Sequence, residues 1–195
     1  LRNNWQRFNK QNHSEGGTKM LNENLTNSAT MNPEKSELVI TRTFNAPREL
    51  VFKVWTVPEH LKHWWGPKGF ALDINKFDLR PDGIFHYKMR SEDGHEMWGK
   101  FIYREIISPE KLVYINSFSD EEGNTVRAPF SPIWPLEILN TLTLSENEGK
   151  TTITLRGGPI NASEEERKRF VEEYESMKQG FGGTFDQLDD YLARA

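Results

Sequence analysis

Seven apolar residues near the end of the chain, Phe170, Tyr174, Met177, Phe181, Phe185, Leu188 and Leu192, recur at steps of four, three, four, four, three and four. That rhythm predicts one long helix with a single apolar face. Ser163, with Glu166 three residues on, supplies a capping box at its start. Upstream, from Glu37 to Gly158, the period is mostly two, which predicts short strands: Leu38–Phe44, Phe70–Leu79, Gly83–Arg90, Glu96–Ile106, Lys111–Ser119, Glu137–Ser145 and Lys150–Gly157. Between the first two strands, Ala46-Pro47 opens a helix carrying Leu50, Val51, Val54 and Trp55, and Pro58 to Trp65 forms a second short one stopped by Gly66-Pro67.

Turn signals at Pro81-Asp82-Gly83, Asp93-Gly94, Ser108-Pro109 and Glu148-Gly149 leave hairpin-length gaps, so the strands form an antiparallel meander. The one long connection, Asp120–Pro135, carries three prolines and is expected to be a loop, a candidate lid. The predicted fold class is therefore α+β: a curved antiparallel sheet of six to seven strands under a long C-terminal helix, with two short helices after the first strand. Burying the helix's seven apolar side chains contributes roughly 10–20 kcal/mol gross, at about 1.5–3 each. A sheet curved around a rod tends to leave a hollow beside it.

Alternation assigns faces within the strands. Phe85, Tyr87 and Met89 share one side, opposite Ile84, His86, Lys88 and Arg90, and Leu112, Tyr114, Asn116 and Phe118 share a side of their own strand. The aromatic side is the buried one. Such rings either fill a core or wall a site for a flat apolar guest, with phenolic hydroxyls to orient it. Within the last helix, Gly180, Gly182 and Gly183 interrupt the apolar pattern. Each costs about 1 kcal/mol against Ala, so they imply close backbone packing, room beside Phe181, or a kink.

Composition narrows the function classes. The 195 residues carry a net charge of −4, no field to attract nucleic acid or an anionic membrane surface. There is no Cys, hence no disulfide, thiolate nucleophile or thiolate metal site. No stretch reaches membrane-span length and no secretory signal is legible, so a cytoplasmic protein is expected. Residues 1–35 are polar and aperiodic, and are expected to be a disordered leader or an upstream extension of the reading frame, with residues 36–195 forming a single domain. His60 and His63 are spaced to share a metal, but no third ligand is legible, and Pro58, Leu61 and Trp64 point to packing instead. His86 and His95 show no nucleophile or carboxylate arranged for acid–base work, so neither a catalytic residue, a metal nor a cofactor is assigned.

Several runs resemble one family in order: Arg42-Thr-Phe-Asn-Ala-Pro, Val51-Phe-Lys-Val-Trp, Trp64-Trp-Gly-Pro-Lys-Gly, Asp78-Leu-Arg-Pro-Asp-Gly, Tyr103-Arg-Glu-Ile, Pro109-Glu-Lys-Leu-Val-Tyr and Lys150-Thr-Thr-Ile-Thr-Leu. The stretch from residue 37 to about 193 resembles the activator of heat-shock protein ATPase homologue family, within the START-like (SRPBCC) superfamily. The resemblance implies a helix-grip fold with a cavity between sheet and helix. Relatives in that superfamily bind lipids, sterols, phenolics and polyketides, and a few catalyse cyclisation. A binding protein for a small apolar or aromatic molecule is thus expected, lined by Trp64, Trp65, Phe85, Tyr87, Trp98, Tyr114, Phe118, Met177 and Phe181. The family often has Trp where this chain has Phe181, which would reshape the cavity. The alternatives are a co-chaperone-like partner of a heat-shock chaperone, in a stress response, and a polyketide cyclase-like enzyme. Monomer and homodimer both remain open.

Overall fold

A computed structural model describes residues 28–32 and 36–195; the proposed leader's residues 1–27 and 33–35 lie outside the described residues. Strand β1 (Ser28–Asn32) is followed by β2 (Glu37–Phe44), α1 (Arg48–Thr56), α2 (Pro58–Leu61) and β3 (Phe70–Phe77). Then come β4 (Ile84–Ser91), β5 (Glu96–Ile107), β6 (Lys111–Ser119), β7 (Ile138–Asn147), β8 (Lys150–Pro159), α3 (Glu164–Glu172) and α4 (Tyr174–Leu192). All pairings are antiparallel, in the order β1-β2-β8-β7-β6-β5-β4-β3. Seven of these strands are the predicted ones. The eighth, β1, falls inside the segment read as disordered. Its only apolar residues, Ala29 and Met31, are too few to announce a strand, but the open edge of β2 supplies backbone partners from Ser28↔Thr41 to Asn32↔Glu37, and a sheet edge asks only for backbone groups.

Two register shifts, between Ile74 and Lys76 and between Tyr103 and Glu105, interrupt the ladder, and such bulges bend and twist a strand. The two-residue β7–β8 turn has positive φ at both Glu148 (51°) and Gly149 (72°), the conformation that tight hairpins select.

The concave face carries the predicted alternation: Leu38, Ile40 and Phe44 of β2, Phe85, Tyr87 and Met89 of β4, and Leu112 and Tyr114 of β6 are buried. Helix α4 lies against it through Phe185, Leu188 and Leu192. Phe185 meets Phe44 edge-on at 6.1 Å and Trp55 at 6.4 Å. Arg42, the inward residue of β2 between Ile40 and Phe44, pairs with Asp186 at 2.9 Å and with Asp189. Thr184 and Gln187 donate to the Gly66 carbonyl at 3.1 and 2.7 Å, tying the helix to the loop after α2.

The single long helix expected from periodicity is two helices. The capping box at Ser163 forms as expected and starts α3, but Glu173 takes φ −91° and ψ 7° and separates α3 from α4. That is the bridge region, a turn conformation and not a helical one. The side chain of Arg169 closes on Glu172 and Glu173 across the break. The stripe of apolar residues runs through it because the chain resumes helix after one residue. The glycines make no kink: α4 is continuous from Tyr174 to Leu192. Nor do Gly180 and Gly183 serve close packing, since a Cβ at either would meet nothing within 4 Å. Among the described residues no helix is long and apolar enough to cross a membrane.

Candidate functional site: the cavity between sheet and helix

A cavity of about 180 Å³ lies between the concave face and α4. Six of the nine residues expected to line it do so: Trp65, Tyr87, Tyr114, Phe118, Met177 and Phe181. Their convergence follows from pleat and helix period. Tyr114 and Phe118 stand on the inward side of β6, Tyr87 on that of β4, and Met177 and Phe181 are one turn apart on α4.

The other three are elsewhere. Trp64 is buried in the core beside α1, where its Nε1 donates to the Val54 carbonyl at 3.1 Å and its ring meets Trp55 at 4.8 Å. Phe85 points inward but is fully covered by Phe77, Tyr87 and Phe101, with centroids at 5.4, 4.7 and 5.3 Å. Trp98 belongs to the outer face of β5. It stacks on His86 at 4.9 Å, and the Lys88 ammonium sits 5.5 Å from its ring centre. Parity of the strand explains this, because the register pairs Tyr87 with Gly99 and Lys88 with Trp98. Trp98 does line a second, smaller void of about 110 Å³.

Sequence reasoning missed eleven of the seventeen residues of the wall. Phe101 stacks on Tyr114 at 4.2 Å and on the edge of Trp65 at 5.3 Å, and alternation along β5 could have found it. Phe130 and Trp134 come from the proline-rich loop between β6 and β7. Phe130 meets Phe118 at 5.6 Å and Trp134 meets Phe170 of α3 at 5.7 Å. The loop is thus a wall of the cavity, which no local pattern announces. It is held at both ends. Arg127 donates to the Trp134 carbonyl at 2.9 Å and pairs with Glu166 of the capping box. Arg127 also holds the Glu166 carboxyl below the usual carboxylate range, aided by the Ser163 backbone.

The near end of that loop covers the outer face, where the sequence reading expected only a charged side. His86 and Lys100 are nevertheless buried. Lys100 Nζ donates to the Gly123 carbonyl at 2.7 Å. His86 Nε2 lies 3.1 Å from the Asp120 carbonyl and 3.2 Å from Ser119 Oγ, while Nδ1 is 3.0 Å from the Asn75 amide. A serine, a histidine and an amide in line resemble a nucleophile with its base. The carbonyl decides otherwise: it can only accept, so Nε2 carries the proton and cannot take one from Ser119. His86 is a loop anchor. His60 and His63 both engage Tyr191 of α4, His60 Nδ1 at 2.6 Å from its hydroxyl and His63 stacked at 5.1 Å.

The cavity's polar groups are few. Asn116 and Asn140 bring side-chain amides to the wall, and Glu173, paired with Arg169, stands at the helix break. Burial pushes the Tyr87 phenol up to about 12, against the opposing effect of nearby Trp65 and Asn116. Burial likewise raises Tyr114, with Tyr103 and Tyr87 adding to it. Trp65 Nε1 is buried without hydrogen-bond geometry to any acceptor among the described residues, even though the Tyr87 hydroxyl is near enough to feel it. Tyr87 lies flat across Gly99, where a Cβ would come within 2.7 Å of the phenol oxygen. Residue 99 has to be glycine for the ring to lie there.

Comparison with known proteins bears on the same region. Residues 45–193 match the model of a family described as Activator of Hsp90 ATPase homolog 1-like protein. Among solved structures, protein Ms6760 from Mycobacterium smegmatis superposes with a TM-score of 0.71 at 22% identity, over 87% of this chain and 98% of that one. A protein from Arthrobacter aurescens gives 0.72 at 24% identity, over 86% and 92%. The AHSA1 protein from Silicibacter pomeroyi gives 0.61 at 17% identity, over 80% and 97%. At these identities the likeness establishes the fold. No protein of curated function matches the sequence.

Proposed function

The chain belongs to the family of Activator of Hsp90 ATPase homolog 1-like proteins, and from that premise we propose that it holds a small hydrophobic or aromatic molecule between sheet and α4, in the cytoplasm. The observation that carries this reading is a void of about 180 Å³ at the centre of an aromatic core. The rings that line it lack packing partners on that side and forgo part of their contact there. A guest of matching shape recovers much of that. The volume sets the guest's size, since an apolar cavity of about 150 Å³ accepts benzene. One ring, or two fused rings, fits without rearrangement. The amides of Asn116 and Asn140 and the hydroxyls of Tyr87 and Tyr114 suit a guest with one hydroxyl or carbonyl group.

Holding is favoured over catalysis by the state of the titratable lining. Burial pushes the Tyr87 and Tyr114 phenols up, away from a phenolate that could serve as base, and Glu173 is engaged by Arg169. No cyclase-like step is assigned. The test is titration with phenol, indole and 1-naphthol, following tryptophan emission and melting temperature. A ligand at a hundred times its Kd adds about 2.7 kcal/mol, or roughly 5–11 °C for a chain of this size. If none of the three shifts either signal, the reading fails.

A second reading has one observation in its favour: Ile133, Leu136 and Leu139 are 37%, 37% and 36% exposed within seven residues of chain. An apolar patch suits a protein partner, and the family's name points to the chaperone Hsp90. Adding the protein to Hsp90 and finding its ATPase rate unchanged removes this alternative.

A further inference from the structure

Beyond Tyr87 along β4 and β5 lies the second void, of about 110 Å³, lined by Met89, Met97, Trp98, Gly99 and Ser117. It shares Tyr87, Asn116 and Phe118 with the main cavity. The partition between the two is therefore made of side chains. Phe118 is only half-buried and can rotate without breaking a hydrogen bond of the strands, and Asn116, also half-buried, gives up only a 3.4 Å bond from its amide to the Lys100 carbonyl. Resting on the reading above, we infer that the two voids are subsites of one binding site, built for an aromatic ring bearing a short unbranched apolar tail.

Size assigns the parts. The main cavity exceeds the roughly 150 Å³ that takes a benzene ring and the smaller one falls below it, so the ring occupies the first and the tail the second. The lining agrees. The larger void is walled by rings and amides, the smaller by two thioethers facing each other across the register pair Met89↔Met97. Methionine is unbranched and adapts to the shape of a flexible chain. The direction of the tail follows from the register as well: it runs along β4 and β5 towards the Met89↔Met97 pair.

The five methionines include Met177 in the main cavity and Met89 and Met97 in the smaller one, so methyl-13C methionine NMR on the full chain reads both voids directly. Phenol should shift the Met177 methyl and leave Met89 and Met97 in place. With 4-butylphenol, the Met97 and Met89 methyls should move too. Across the series from phenol to 4-butylphenol, affinity should rise about fourfold per methylene, then stop rising once the chamber is full. Met97→Trp should abolish that rise while leaving phenol affinity unchanged. If phenol neither binds nor shifts Met177, the binding reading itself is wrong. If phenol shifts Met177 but the tail moves neither Met89 nor Met97, or Met97→Trp preserves the rise, the binding reading stands and the two-subsite inference is overturned. Should Met97→Trp fail to fold, the methyl shifts of the unaltered protein decide alone.

Discussion

Replacing Phe181 by Trp puts the void itself under test. Phe181 is half-buried on α4, lines the cavity and lies 5.8 Å from Phe185. The indole adds three heavy atoms, worth about 2 kcal/mol if each buries as a methylene does. An indole N–H without an acceptor takes back part of this, leaving an expected gain of about 1 kcal/mol. In a packed core the same change would cost about 1–3 kcal/mol by overpacking, so the sign of the effect reports whether space exists. The melting temperature followed by circular dichroism should rise by roughly 2–4 °C. Phenol binding by calorimetry should weaken by about tenfold or more, the equivalent of about 1.4 kcal/mol of lost fit. A lower melting temperature with phenol binding intact would refute both the void and its place beside α4.

The other predictions follow from single contacts. Gly180→Ala and Gly183→Ala should each stabilise α4 by about 0.5–1 kcal/mol in urea unfolding, because the new Cβ meets nothing within 4 Å. Gly99→Ala places a Cβ 2.7 Å from the Tyr87 hydroxyl; it should cost about 1–3 kcal/mol and push Tyr87 into the cavity, weakening phenol binding in the same calorimetric assay. Glu166 has its folded-state acidity shifted down by Arg127 and the Ser163 backbone. Its contribution is thus present above the ordinary carboxylate value of about 4.3 and is lost as pH falls through the lower folded value. The melting-temperature gap between the unaltered protein and Glu166→Gln should accordingly be widest near pH 6 and close towards pH 3.

Patterns a few residues long were legible in the sequence, because local geometry alone generates them. Strand alternation fixed which side of β4 and β6 is buried, the capping box fixed the start of α3, and turn residues fixed the hairpins. The same rules put Tyr87, Tyr114, Phe118, Met177 and Phe181 on inward faces, so the sequence alone identifies them. Inward, however, does not mean adjacent to space. Phe85 and Tyr87 share one face of one strand, yet Phe85 is sealed by three rings while Tyr87 borders the void, opposite a glycine on β5. Whether a side chain meets a neighbour or a hollow depends on pairs distant in sequence, such as Tyr87 with Gly99 and Trp134 with Phe170.

Tertiary structure alone decided the rest. It turned a proline-rich loop into a cavity wall through Arg127 and Glu166, buried His86 and Lys100 on a face that reads as solvated, and added an edge strand from a segment with too few apolar residues to announce one. Each of these outcomes is settled by a partner supplied from elsewhere in the chain: a carbonyl, a carboxylate or an open strand edge. Periodicity describes what a residue presents, and only the folded chain determines what it meets.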